Sequence, residues 1–551
     1  MRPGGPTVAI LAAAVVGWLL VAAAAVSSSA TYDETTYLNA ASRWWRSGDA
    51  VGITRMGSPN LFWKVQLAPT FLALDLAGRD ELIADQPRLQ AELLPIARLG
   101  ASWIWLAGLG LTAFWARRLN GAAGAVFAAW LYALSPNLIA HGSLVTMEAP
   151  LTTATAAAFL AFASFLTTGR RRWFWISAAL CGLAFAFKFT AIVYPPILAA
   201  VWWLRDRPRR TIRKALAMVG FVAAMLAADF ALTGFATLPP SPVVGEHPSA
   251  SGRFGSLVAR AYEVPIPQDW VGFATQTRHQ ATGGPSYLLG ERRLWGWRYY
   301  YLVALAVKVP LAVWLLAAAR LRRDGLRACL TREPDRIALL GMLLFFAIAS
   351  AGSTRNYGAR YLLPMAPLAI VWLSRLARRD EGGSPRGRRA RGVVLALAFS
   401  GQVVAVASAF PDELTYFNVL AGGRSGGRFV LADSNLDWGQ GLRALRRLQD
   451  ARPEFRDLTL YYFGDVDPSV YGVAGVRHVV DAVGAWPAPP PLETATTPYV
   501  AVSASLQHGP WGPEGFFRAL DDVRPIAMTD DGTIAVYRAP VPGGETGGRF
   551  D

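Results

Sequence analysis

Isolated polar residues interrupt an otherwise apolar chain in a few places, and their types suit chemistry on a phosphate and a hydroxyl. Asp33 and Glu34 stand side by side directly after the first apolar run, and His141 and Glu148 share one polar gap further on. Lys188 sits among Phe185, Phe187 and Phe189, while Arg355, Arg360 and Tyr361 precede another apolar run. A carboxylate near an acceptor oxygen takes its proton as a bond forms, and cations stabilise the negative charge growing on a departing phosphate. Asp33, Glu34 and Glu148 are therefore candidate catalytic residues. Lys188, His141, Arg355, Arg360 and Tyr361 are candidate substrate-binding residues.

Each has a structural alternative. Asp33 and Glu34 could be interfacial charges beside a helix end, and Lys188 could snorkel to the membrane surface. Glu148 could only favour the start of the helix near Pro150. His141 lacks the partners of a metal site and reads as a helix-end hydrogen-bonding residue. Asp229 reads as a structural partner. The constellation says more than any member.

The elements that must hold these residues are membrane helices. A chain of 551 residues with 53% hydrophobic and 17% charged residues and mean hydropathy +0.29 exposes too much apolar surface for a soluble domain. Runs long enough to span hydrocarbon are Val8 to Val26, Ile96 to Ala116, Gly121 to Ala140, Leu151 to Thr167, Trp173 to Phe187 and Phe189 to Leu204. They continue with Ala215 to Thr233, Tyr299 to Ala319, Ile337 to Ala351, Tyr361 to Ala377 and Val393 to Ala409. The net charge of +16 arises from short basic clusters between these runs, the positive-inside pattern rather than a nucleic-acid face.

With a cytoplasmic N-terminus, Arg117 and Arg118, Arg170 to Arg172, Arg205 to Lys214, Arg320 to Arg336 and Arg375 to Arg391 all fall inside. The candidate site residues then collect outside, with Lys188 roughly 22 Å above the inner surface at 1.5 Å per residue from Trp173. The first run, with Arg2 before it and Ser28-Ser29-Ala30 after it, also resembles a signal peptide, but the segment after Ala30 is outside on either reading. Cys181 and Cys329 are not placed to form a disulfide in an exported domain.

Three outer segments are long: Ser27 to Pro95, Gly234 to Arg298, and everything after Phe410. Trp44, Trp45, Phe62 and Trp63 in the first suit amphipathic interfacial helices. The last predicts a soluble α/β domain, with strands around Arg428 to Ala432, Leu458 to Phe463, Val500 to Ser503 and Thr533 to Tyr537. A helix from about Trp438 to Leu448 is predicted within it, capped by Asn435 and Asp437. The fold class is thus an α-helical polytopic membrane protein of about eleven transmembrane helices over residues 1–409, with a C-terminal α/β domain over residues 410–551.

Several segments carry a family resemblance: TYDETTYLNAASRWWRSGD, SPNLIAHGSLVTMEAP, GLAFAFKFTAIVYPP, GPSYLLGERRLWGWRYYYLVALAVKVP, NYGARYLLPMAPLAI and YFNVLAGG with LADSNLDWGQGL. In order, spacing and sidedness the sequence resembles the GT-C membrane glycosyltransferases, in particular the protein O-mannosyltransferase and aminoarabinose-transferase-like group. The resemblance implies a polyprenyl-phosphate-sugar donor and transfer with inversion at the anomeric carbon. It would make Asp33 the catalytic carboxylate of the first outer loop, acting as general base, with Glu34 its neighbour, and Lys188 and Arg360 cations facing the lipid phosphate, with Tyr361 alongside. Glu148 stands where many relatives carry Asp, and its extra methylene moves the carboxylate by about 1.5 Å. MGSPNLFWKVQ keeps only Ser58 and Pro59 of a His-Pro-Pro turn, so no His function carries over there. DSNLDWGQ reads as structure rather than catalysis, because capping residues explain it.

The implied partners are the lipid-linked donor, membrane lipids and a protein, lipid or glycan acceptor, with no nucleic acid. Asp33, Glu34 and Glu148 are too few oxygen ligands to specify a Mg²⁺ or Mn²⁺ site, which leaves a divalent metal open. The competing readings are a transporter or flippase for a polyprenyl-linked sugar, whose site would lie nearer the midplane, and a non-catalytic assembly scaffold.

Overall fold

The computed structural model describes residues 4–205, 211–240, 262–331, 335–352, 354–378, 384–479, 492, 495–512 and 515–539. Parts of three predicted basic clusters (206–210, 332–334 and 379–383) lie outside the described residues, as does 241–261 of the second long outer segment.

The chain is mostly helical, and the apolar runs form its helices. Gly5–Ser27, opened by Pro6, exposes Val8, Leu11, Val15 and Leu19, as a helix facing hydrocarbon does. Among the described residues, five helical stretches are long and apolar enough to cross a membrane: Gly5–Ser27, Gln86–Ala133, Glu148–Thr168, Ile212–Leu232 and Pro385–Ala407. Tyr300–Lys308 and Leu311–Asp324 would make a sixth, but they meet at 103° around Val309 and Pro310. This is fewer than the eleven predicted runs, because two of them share one stretch and others are divided. Gln86–Ala133 carries both Ile96 to Ala116 and most of Gly121 to Ala140, with a break at Gly121, φ +73°. Phe189–Val193 is a 3-10 turn before the helix Tyr194–Arg205, and Ala359–Met365, containing Pro364, is a 3-10 turn before Ala366–Leu373. Proline removes a helical donor and crowds the preceding turn.

The first outer segment forms the helices Tyr32–Ser47 and Leu61–Leu76 and leads into Gln86–Ala101. Thr31 and Glu34 make a capping box at the start of Tyr32–Ser47, which satisfies donors that otherwise have no helical partner. Phe62 and Trp63, predicted to sit in the interface, are instead fully buried.

After Phe410 the structure contains a five-stranded mixed sheet in the order Val476–Val479, Leu458–Tyr462, Tyr499–Ser503, Ile534–Arg538, Ala527–Met528. The first three strands run parallel and the remaining pairs are antiparallel. The predicted strand Arg428 to Ala432 is absent. The glycine-rich AGGRSGG run, with Gly422 and Gly423 at positive φ, winds into a short helix Gly423–Gly427, and the N–H groups of Val430 and Leu431 bond back to Gly427. The predicted helix starts later, at Leu442, and ends at Ala451. Asp437 does not cap it, because its carboxylate accepts from the N–H groups of Gly439 and Ser505, and Gly439 sits at φ +92°.

The stretch around Trp438 ties this region to the membrane helices. Ser29 N–H donates to Gln440 O, Tyr32 N–H to Trp438 O, and Leu442 N–H to Ser29 Oγ. These bonds fix the backbone that leads into Asp33.

Candidate active site

Four side chains from distant parts of the chain meet in one cluster. Asp33, at the start of the helix Tyr32–Ser47, accepts from Arg360 Nη1 at 3.1 Å. The same Nη1 lies 3.7 Å from Glu148 Oε1, and Lys188 Nζ donates to that Glu148 oxygen at 2.9 Å. The Lys188 ammonium sits 4.3 Å from the centre of the Tyr361 ring. Asp33 keeps 29% of its side chain accessible, whereas Arg360 keeps 9% and Glu148 1%. Asp33 is thus the carboxylate an incoming group could reach.

Local structure explains each position. Glu148 begins the helix Glu148–Thr168, where the helix dipole favours an acid. Lys188 leaves the helix Arg171–Phe187 in an extended conformation, and its side chain is buried. Arg360 follows Gly358 at φ +141°, and a Cβ there would lie 2.5 Å from Ser434 Oγ, so that close approach needs glycine.

Glu34 faces elsewhere. Its oxygens accept from Arg98 Nη2 at 2.6 Å and Nε at 2.9 Å, from the Thr31 N–H and hydroxyl at 3.0 Å, and from the Val145 N–H at 2.9 Å. Arg98 also donates to the carbonyls of Ala25, Ser28 and Ser29. Burial pushes Glu34 up, but the Arg98 guanidinium and these hydrogen bonds outweigh it, so the carboxyl lies below its ordinary range. Asp33 shifts the opposite way: lost hydration raises it, and Arg360 only partly offsets this.

His141 is buried with its Nδ1 unpartnered, and burial pushes it down to about 4, which keeps the imidazole neutral. Arg355 donates to Gly283 O at 2.6 Å and to Thr282 Oγ1 at 3.3 Å, which ties the loop before Arg360 to Thr282 and Gly283. Among the described residues, no group of three or more His, Cys, Asp or Glu side chains could hold a metal ion.

The sequence did not single out three further residues. Trp438 lies with its ring centre 4.0 Å from the Arg360 guanidinium and near His141. Asp433, at φ +57°, accepts from Trp511 Nε1 at 2.7 Å. Lys308, a lone lysine in an apolar run like Lys188, lies buried at the bend between Tyr300–Lys308 and Leu311–Asp324. Trp438 and Asp433 belong to DSNLDWGQ, so that stretch contributes to the site as well as to its frame.

Beside the cluster opens a cavity of about 360 Å³ with mainly apolar walls, including Leu302, Leu305, Phe346, Leu363 and Trp372. Arg360, His141 and Lys308 border it. Arg360 thus stands between an apolar cavity and the carboxylate of Asp33.

Residues 97–230 match the model of the dolichyl-phosphate-mannose-protein mannosyltransferase family. No curated protein matches the chain. Among solved structures, ArnT from Cupriavidus metallidurans in the apo state is similar at 15% identity, covering 97% of each chain, with TM-score 0.49. AglB from Archaeoglobus fulgidus is similar at 12% identity, covering 98% of this chain and 75% of its own, with TM-score 0.46. The segment matched by the family model includes His141, Glu148 and Lys188, and through it the chain resembles a GT-C glycosyltransferase of the protein mannosyltransferase type.

Proposed function

We propose that the protein is a membrane glycosyltransferase that moves a sugar from a polyprenyl-phosphate-linked donor to an acceptor on the outer side of the membrane, with inversion. The observation that carries this reading is the position of Arg360, which borders an apolar cavity on one side and bonds the accessible carboxylate of Asp33 on the other. An apolar cavity suits a lipid chain, and the arginine at its polar end suits a phosphate. The family matched by residues 97–230 is named for a dolichyl-phosphate donor.

In the proposed reaction the acceptor hydroxyl attacks the anomeric carbon as the bond to the phosphate oxygen breaks. Asp33 takes the hydroxyl proton, and the bonding electrons leave with the polyprenyl phosphate, whose charge Arg360 stabilises. Glu148 is bonded by Lys188 and holds Arg360 from the other side. Glu34, fully engaged by Arg98, Thr31 and Val145, positions the helix start that presents Asp33.

The basic clusters support an outward-facing site and C-terminal region. The test is sugar transfer by the purified full-length protein in nanodiscs, with polyprenyl-phosphate sugars as donors. Donor-dependent transfer lost in Asp33→Asn supports the reading, and donor translocation without transfer would favour a flippase.

A further inference from the structure

The charges of the cluster balance: Asp33 and Glu148 oppose Arg360 and Lys188, and Lys188 is engaged by Glu148 at 2.9 Å. A lipid phosphate brings additional negative charge into a buried place, and buried charge is costly unless a partner meets it. Arg360, already opposed by Asp33 and Glu148, does not offset that added charge alone.

Lys308 is a further cation. It is 3% exposed, and its ammonium donates to the backbone carbonyls of Leu414 at 3.0 Å and Asn435 at 2.7 Å, with the Phe417 ring centre at 4.4 Å. Among the described residues no carboxylate pairs with it. An ammonium has three donors, and neutral carbonyls take two of them without cancelling the charge. Lys308 also borders the apolar cavity, together with Arg360 and His141, and the buried Nδ1 of His141 has no partner. The bend after Lys308 puts the lysine at the end of a helix, where its side chain can reach the cavity. An uncompensated buried cation, an orphaned polar atom and an arginine on the wall of one apolar cavity form a site for an amphiphile with an anionic head.

We propose that Lys308, with His141, binds the phosphate of a ligand whose hydrocarbon chain fills this cavity, and that Lys188 serves instead to hold Glu148. The inference rests on the donor reading above and names the residue that receives the donor's phosphate.

The test measures binding of farnesyl phosphate and of inorganic phosphate to the full-length protein in nanodiscs, for the unmodified chain, Lys308→Gln and Lys188→Gln. Glutamine retains donors for the two carbonyls but carries no charge, so a merely structural lysine would leave the affinity unchanged. We expect Lys308→Gln to weaken farnesyl phosphate at least about tenfold, as for loss of a charge-assisted hydrogen bond, with a smaller loss in Lys188→Gln. Farnesyl phosphate bound equally well by Lys308→Gln overturns the inference and leaves the proposed function standing. Lys308-dependent binding of inorganic phosphate without farnesyl phosphate overturns the lipid occupant and the donor reading together. Binding of neither probe by the unmodified chain overturns both. If Lys308→Gln does not fold, a photoreactive farnesyl phosphate on the unmodified protein decides: crosslinks within residues 300–324 support the site, and crosslinks confined to residues 171–205 overturn it.

Discussion

Arg360 donates to the carboxylate of Asp33 at 3.1 Å although 327 residues separate them in the chain. The contact joins the first outer helix to the turn before Ala366–Leu373, and it partly offsets the rise that burial imposes on the carboxyl of the proposed base.

If Asp33 accepts the acceptor's proton, Asp33→Asn should lower transfer by at least about a hundredfold, because the lost step develops in the transition state. Donor binding should survive. Rates and donor affinities measured on one preparation decide, and near-native transfer by the variant would remove Asp33 from the role.

The pH profile should follow the Asp33 shift. Burial raises its pKa above 3.8, and Arg360 holds it back. Activity should therefore fall as the pH drops through a value above the usual aspartate range. Arg360→Gln should move this acid limb to higher pH, besides slowing the reaction, and kcat/KM measured against pH reads both effects.

Glu34→Gln should act first on stability. Removing one partner of a buried ion pair costs about 3–5 kcal/mol, and Arg98 is wholly buried. Because Glu34 lies below its ordinary 4.5, its contribution is fully present above that pH and is lost as the pH falls through the folded-state value. Thermal unfolding in detergent should show a lower midpoint, and transfer per folded molecule should fall less than in Asp33→Asn. A variant as stable as the unmodified protein would contradict this role.

Trp438→Ala should slow transfer by roughly tenfold, the scale of a desolvated cation–π contact of about 0.5–2 kcal/mol. Trp438→Phe should recover part of it, since a ring would still face Arg360. Equal rates for Trp438→Ala and the unmodified protein would leave this contact without a role in the reaction.

Orientation can be read by labelling. A cysteine replacing the exposed Ser469 should react with an impermeant thiol reagent in intact cells, and one replacing Ser384 should not. Cys181 and Cys329 are buried, so they contribute little background. The opposite pattern would reverse the outward-facing site.

Apolar runs in the sequence determined where helices form, because backbone groups in hydrocarbon must bond within their own segment. The lone charges among them marked Asp33, Glu148, Lys188 and Arg360, since such charges are costly without a partner. The strands Leu458–Tyr462, Tyr499–Ser503 and Ile534–Arg538 were legible from their composition. The false strand at Arg428 to Ala432 came from apolar residues whose conformation the preceding glycines control.

The sequence alone could not separate Asp33 from Glu34 or weigh Lys188 against Lys308. Consecutive helical residues point about 100° apart, so adjacent carboxylates face different neighbours, and only the tertiary structure turns one to Arg360 and the other to Arg98. Two lysines in similar apolar runs look alike in sequence. Folding sets one against a carboxylate and the other against neutral carbonyls at the edge of a cavity, because the charge a buried lysine meets depends on segments far from it in the chain.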